Sequence, residues 1–245
     1  MKFLIIAIFA IIGTALAQTQ NYCDSSLCRS GGRHIACPGV AVNRCPSDAR
    51  AIPMDNTMKN LILGKHNANR NALAGGQVNR FATAAAMPEV TWDDELAYIA
   101  SKNAMQCTFG HDQCRNTKAF MYAGQNIAYA MGSAYTDSSF VEQMINLWWD
   151  EYKQCSQAVL DKFQNTQAVV GHFTVMSTDR TNKIGCAAVL YNRNYRILVC
   201  NYSFTNMMGQ PIYKKGSVRS GCKSGASNQY PNLCSANEVV NPNPF

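Results

Sequence analysis

Charge is what this chain has least of. Asp, Glu, Lys and Arg make up 15% of it, and acids are the scarcer sign, 15 against 22 bases. Disordered chains are rich in charge and poor in apolar residues, so a hydrophobic content of 47% excludes that class and indicates a folded protein. No internal repeat and no low-complexity tract occurs, which excludes solenoids and linkers. The longest apolar run, Phe3 to Ile12, is too short to cross a bilayer, so no membrane span is expected. His-Glu-x-x-His, Gly-x-Ser-x-Gly and the Gly-rich phosphate loop are all missing, so the common zinc-protease, serine-hydrolase and nucleotide-hydrolase signatures are absent. Helix-turn-helix, ribonucleoprotein and zinc-finger signatures are missing too, so no nucleic-acid partner is expected. An Arg-Gly-Asp tripeptide is also lacking.

What is present begins with a leader. Lys2, the apolar run after it and the small-x-small triplet Ala15-Leu16-Ala17 read as a secretory signal over residues 1–17, cleaved before Gln18. Losing Lys2 takes the formal charge from +7 to +6, a modest excess that favours acidic surfaces. Lys214, Lys215, Arg219 and Lys223 read as solvated side chains on a C-terminal tail; a basic patch for a glycosaminoglycan or nucleic acid is the alternative. Eleven cysteines in an extracellular chain imply a disulfide framework with one thiol left over.

From Gln18 to about Asp55 the sequence is rich in Cys, Gly and Pro and shows no periodicity, so it reads as a loop-rich extension. Met58, Leu61, Ile62, His66 and Leu73 recur at helical spacing until Gly75-Gly76. A second helix opens at Trp92-Asp93-Asp94-Glu95, with Leu96, Ile99, Ala100 and Asn103 on one face. A third runs from about Ser138 to Tyr152 on a stripe of Phe140, Met144, Leu147 and Trp148. Val169 to Met176 reads as a strand carrying His172. Ile184 to Tyr191 and Tyr195 to Ser203 flank the turn Asn192-Arg193-Asn194 and read as a hairpin. Counting back from that turn sets Cys186 opposite Cys200, within reach of a disulfide. Helices first and antiparallel strands later predict an α+β fold.

Several short motifs carry a resemblance. Gly171-His172-Phe173-Thr174 with Ile184-Gly185-Cys186, and the run Leu198 to Tyr213, are similar to the two signatures of the CAP superfamily (cysteine-rich secretory, antigen 5 and pathogenesis-related-1 proteins). His66-Asn67-x-x-Arg70, Trp92 to Leu96, Gly124-Gln125-Asn126 and Trp148-Trp149-Asp150-Glu151 extend the likeness over residues 56–213. Cys23, Cys28, Gly32, His34 and Cys37 resemble the insect antigen 5 branch, found in venoms and fly saliva. The resemblance implies a three-layer α-β-α sandwich (CAP domain, 56–213) with a Cys-rich extension (18–55) and a C-terminal tail (214–245). It also implies the pairs Cys23–Cys37, Cys28–Cys114, Cys45–Cys107 and Cys186–Cys200, which leaves Cys222–Cys234 as a local loop in the tail and Cys155 as a free thiol.

The family sets two histidines and two acids around a cleft. Here these fall on His111, His172 and Glu151, with Gln125 where a Glu is usual. Two imidazoles and a carboxylate suit a borderline cation such as zinc, and an amide in place of an acid weakens that site. The competing reading makes the set structural, with His172 hydrogen-bonded to Glu151 across the cleft. His66 then orders the fold, and His34 carries no site. Met121, Tyr122, Tyr129, Met131, Met207 and Met208 read either as core or as an apolar groove for a lipid. Asn201-Tyr202-Ser203 is a glycosylation sequon that reads as unmodified. The expected function is a secreted, non-enzymatic scaffold of the antigen 5 type, a salivary or venom allergen that binds a host protein or a small lipid. It is expected to be a monomer, with a dimer through Cys155 as the alternative. A metal-dependent enzyme at His111, Glu151 and His172, or a sterol or fatty-acid carrier, are the rivals.

Overall fold

The computed structural model describes residues 20–28, 31–41, 43–78 and 80–245, so the leader expected at 1–17 lies outside the described residues. In chain order the elements are β1 (Arg50–Ile52), α1 (Asn56–Ala74), β2 (Thr91–Trp92), α2 (Asp94–Ala104), β3 (Gly124–Met131), α3 (Asp137–Asp150), α4 (Gln157–Asp161), α5 (Gly171–Ser177), β4 (Lys183–Tyr191) and β5 (Tyr195–Tyr202). Short 3-10 turns occupy Ser25–Leu27 and Glu151–Gln154. The sheet runs β1-β4-β5-β3 with antiparallel neighbours, and β2 adds in parallel to β4.

Local signals start the helices. Asp55 caps α1 by accepting from Met58 N at 2.9 Å, and Asp93 caps α2 by accepting from Leu96 N at 2.8 Å. Thr136 and Ser139 exchange bonds as a capping box at α3. Chain reversal after α1 uses Gly76 at φ 72°, a left-handed conformation that suits glycine.

The sheet is buried on both faces, and its residues alternate between two cores. Ile184, Cys186, Ala188, Leu198, Cys200 and Tyr202 join Met58 and Ile62 of α1, Phe140, Met144 and Trp148 of α3, and Phe173 of α5. Val189, Tyr191, Ile197 and Val199 turn the other way and meet Ala100 and Ala104 of α2. This is the α-β-α arrangement. It explains why β4 and β5 read as continuous apolar runs and lack a polar alternation. Gly185 makes the close approach on the α2 side possible: a Cβ there would sit 2.2 Å from Ala97 N and 2.4 Å from Asp93 O. Opposite it, Cys186 and Cys200 pair in register, with Cα atoms 4.1 Å apart in their disulfide.

Three of the segments read from the sequence differ in the structure. Residues 171–177 form helix α5, not a strand. The β-branched and aromatic residues there pointed to a strand, but the Glu151 carboxylate accepts from the backbone N–H of His172 and Phe173 and sets the first helical turn. In α3, Leu147 is 54% exposed while Phe140, Val141, Met144, Ile145, Trp148 and Trp149 are buried. Counted at about 100° per residue, Leu147 falls just past Phe140 at the rim of that buried arc. The C-terminal stretch is docked rather than solvated. Ala85 N donates to Lys214 O and Cys234 N to Met87 O, both at 2.8 Å, and Leu233 is fully buried. Its lysines and Arg219 remain exposed, with Lys215 Nζ 2.7 Å from Asp161.

Five disulfides brace the molecule: Cys23–Cys37, Cys28–Cys114, Cys45–Cys107, Cys186–Cys200 and Cys222–Cys234. Two of them tie the N-terminal extension, which also supplies edge strand β1, to the body around Cys107 and Cys114. Cys155 is free and buried, and burial pushes its thiol up to about 11. Arg70 is buried on α1 and donates five hydrogen bonds to the carbonyls of Pro88, Met176, Thr178 and Thr181. It thereby pins two loops to the helix.

Two outcomes follow. Arg70→Met strands four buried carbonyls and lowers unfolding free energy by about 3–5 kcal/mol, read from the urea midpoint; a loss below about 1 kcal/mol contradicts the role given to the guanidinium. Ellman's reagent finds no reactive thiol in the native protein and one per chain in denaturant.

Candidate functional site

The site lies where one end of the sheet meets the start of α5. The strand β3 delivers Gln125 and Asn126, the loop before it delivers His111, and the first turn of α5 delivers His172. These four residues, with Arg115, Thr205 and Asn206, line one cleft of about 280 Å³. The cleft therefore gathers His111, Gln125 and His172, while Glu151 stands behind His172.

Hydrogen bonds fix the orientation of each ring. His172 Nδ1 lies 2.5 Å from Glu151 Oε1, and the other carboxylate oxygen accepts from His172 N at 2.8 Å and Phe173 N at 3.1 Å. The ring stacks on Trp148 with centroids 5.9 Å apart and planes 11° apart. His111 Nδ1 lies 2.7 Å from Gln125 Oε1. The Gln125 amide nitrogen donates to Asp112 Oδ2 at 2.8 Å and to Asn201 Oδ1 at 3.0 Å, so its oxygen is the atom that accepts from His111. Both imidazoles thus donate from Nδ1, and in the neutral ring Nε2 carries the lone pair.

That accounting decides what the site can hold. Glu151 and Gln125 orient the histidines and have their own atoms committed, which leaves two imidazole nitrogens as donors. Two nitrogens with water fit a weak borderline cation and fall short of the three or four protein ligands of a strong zinc site. Among the described residues, no group of three or more His, Cys, Asp or Glu is placed to hold a metal. No cysteine or serine among the described residues lines the cleft.

The sequence reading missed Asp112 and Arg115. Arg115 Nε donates to Asp112 Oδ1 at 2.8 Å, and the Asp112 side chain is 1% exposed. Asp112 directly follows His111, but nothing in its neighbours marks it as buried. A second layer supports the site from the core. His66 Nδ1 donates to Ile62 O at 2.8 Å, and Tyr202 donates from its hydroxyl to His66 Nε2 at 3.0 Å. Asn126 donates to the Tyr202 oxygen and to His172 O, both at 3.2 Å. The sequon residue Asn201 is fully buried, its amide bonded to Leu96 O and Gln125. His34 is buried in the extension, stacked on Tyr22, away from the cleft. The apolar residues read as one groove are dispersed. Met121 and Tyr122 line a cavity beside Cys28 and Cys114, while Tyr129 lines a different one against α3.

A disulfide-braced α-β-α sandwich with two histidines facing one cleft defines a class of extracellular-type domain. The model of the "Cysteine-rich secretory protein family", CAP, matches residues 63–202, and the chain belongs to that family. "Venom allergen-1" of Aedes aegypti is 44% identical, covering 98% of this chain and 95% of that protein. "Antigen 5 like allergen Cul n 1" of Culicoides nubeculosus is 41% identical, covering 79% of this chain and 93% of that protein. Among solved structures, "NaASP2 with Zn2+" superposes with a TM-score of 0.64 at 30% identity, covering 78% of this chain and all of that one. Among the described residues no helix is long and apolar enough to cross a membrane.

The buried His66 makes stability depend on pH. Burial pushes its imidazole down to about 4 from an ordinary value near 6.5, and burial lowers His34 as well. The unfolded chain then binds more protons than the folded one between those values. His66 therefore costs no stability above pH 6.5, and about 3 kcal/mol is lost as pH falls to 4. Urea midpoints between pH 7 and 4 should fall accordingly, with a shallower slope in His66→Gln; an unchanged slope removes His66 from this account.

Proposed function

We propose that the protein is secreted and non-catalytic, a binding scaffold of the antigen 5 type that acts outside the cell on a host protein or a small ligand. The observation that carries this reading is the state of the polar residues in and behind the cleft: Glu151, Gln125 and Asp112 are all committed to orienting neighbours. No side-chain thiol lines the cleft, and Cys155 is buried with its thiolate disfavoured. Covalent catalysis needs an activated nucleophile beside its base, and the hydroxyl in the cleft lining, Thr205, donates to Asn206 Oδ1 at 3.2 Å rather than to a histidine. Five disulfides suit an oxidising compartment, and the leader read at residues 1–17 supplies the route there. The names of its relatives, venom and antigen 5 allergens, support an allergen, and the reading extends this to a salivary or venom component that acts on host haemostasis or immunity. The rigid sandwich is the platform and the loops supply specificity.

A second reading adds a weakly held divalent cation between His111 and His172, backed by Glu151 and Gln125. It is supported by the lone pairs left on the two rings and by the zinc named with NaASP2. Elemental analysis after dialysis should find little zinc, and titration should show reversible uptake that His111→Ala and His172→Ala each abolish. Repeated turnover of an ester, phosphoester or peptide by the zinc-loaded protein, lost in His172→Ala, overturns the non-catalytic reading.

A further inference from the structure

A second cavity shares a wall with the histidine cleft and differs from it in chemistry. It lies between β3 and α3 and has a volume of about 300 Å³. Ile127 and Met144 are buried at its floor. Phe109, Tyr129 and Leu147 border it and are 64%, 42% and 54% exposed. Isolated exposed apolar side chains are ordinary, but three around one concavity mark a binding surface. His172 lines both cavities, and Trp148 and Glu151 complete this one.

Among the described residues, Glu151 is the only carboxylate in the lining, and no Lys or Arg accompanies it. Its partners are the His172 ring and two backbone N–H groups. The two backbone N–H groups are uncharged donors, so they satisfy one oxygen without supplying a positive charge. An apolar cavity with one carboxylate repels an anionic lipid headgroup. Phe109, Tyr129 and Trp148 add three π systems, whose faces attract cations. Trp148 is already covered on one side by His172, which leaves Phe109 and Tyr129 as the exposed rings.

We propose that this groove binds a small organic amine, cationic at neutral pH, with an aromatic or compact apolar body. The body lies among Phe109, Tyr129 and Leu147 and the ammonium points toward Glu151. The proposal rests on the reading of the protein as a holder of ligands. It names the ligand's charge and shape, and it places the ligand beside the histidine cleft rather than between the two imidazoles.

Isothermal titration of the full-length secreted protein with tryptamine and with indole-3-propionate compares one ring system carrying opposite charges. The expected result is one tryptamine per chain, with the propionate at least about tenfold weaker. Glu151→Gln keeps the shape, removes the charge and should erase that preference. Because Glu151 also supports α5, a second variant carries the test independently of folding. Leu147→Lys alters an exposed position, sets a competing ammonium at the groove, and should weaken tryptamine at least about fivefold. Equal affinity for the two probes, preference for the anion, no tryptamine binding, or an unaffected Leu147→Lys protein each overturns the proposal. Zinc titration of the same preparation separates the failures. Zinc uptake without tryptamine binding sinks the amine groove alone, and tryptamine consumed over many turnovers sinks the scaffold reading.

Discussion

Glu151 ties the end of α3 to the start of α5 and to the imidazole carried there. It stands at the end of α3, its Oε2 receives the first N–H groups of α5, and its Oε1 holds the His172 ring. Val170, at the start of α5, has no side-chain oxygen to cap the helix. Without the carboxylate, two helix-start donors would lie in a partly buried site with no partner, a cost of about 1–3 kcal/mol each. The same atoms fix the imidazole tautomer, which decides that Nε2 carries the lone pair. Structure and chemistry are therefore coupled through one side chain, and the Trp148 stack depends on it as well.

The sheet holds this arrangement in place because it cannot slip. A one-residue shift between β4 and β5 would exchange the two cores and pull Cys186 from Cys200. The longer bridges act on a different part of the chain. In the chain-entropy picture, the 14-residue separation of Cys186 and Cys200 gives about 3 kcal/mol, while the 86 residues between Cys28 and Cys114 give about 4.6. The larger contribution goes to the N-terminal extension, which has small apolar clusters of its own around Leu27 and Ile35. Covalent anchoring supplements burial where the chain is too short to bury much.

Elements with local signals were legible in the sequence. The capped starts of α1 and α2, the face of α2 and the register of the hairpin all depend on neighbours within a few residues. What escaped depends on distant partners. Segment 171–177 is helical because of a carboxylate twenty residues upstream, and no periodicity inside it says so. The strand β3 is buried from Gly124 to Ala128, so it lacks the alternation by which strands are recognised. Leu147 fits the apolar stripe by spacing, yet it falls outside because the buried arc of α3 ends at Phe140. At the site, the motif residues were legible by type, whereas the Asp112–Arg115 pair with its enclosed carboxylate was not, since charged side chains are seldom fully buried and seldom sought there.

That pair explains the amide at position 125. Gln125 Nε2 donates to Asp112, whose side chain is almost fully enclosed. A glutamate at 125 would place a second carboxylate about 2.8 Å from the first, and two such acids cannot both be charged at that distance. The amide resolves the conflict: its oxygen serves His111 as a carboxylate oxygen would, and its nitrogen satisfies Asp112 and Asn201. The acid is thus displaced one residue beyond His111 and neutralised there by Arg115. The orientation of the ring is kept while negative charge next to it is lost. The His111 side of the cleft therefore attracts cations weakly, and a carboxylate is kept on the other side, at Glu151 beside the apolar groove.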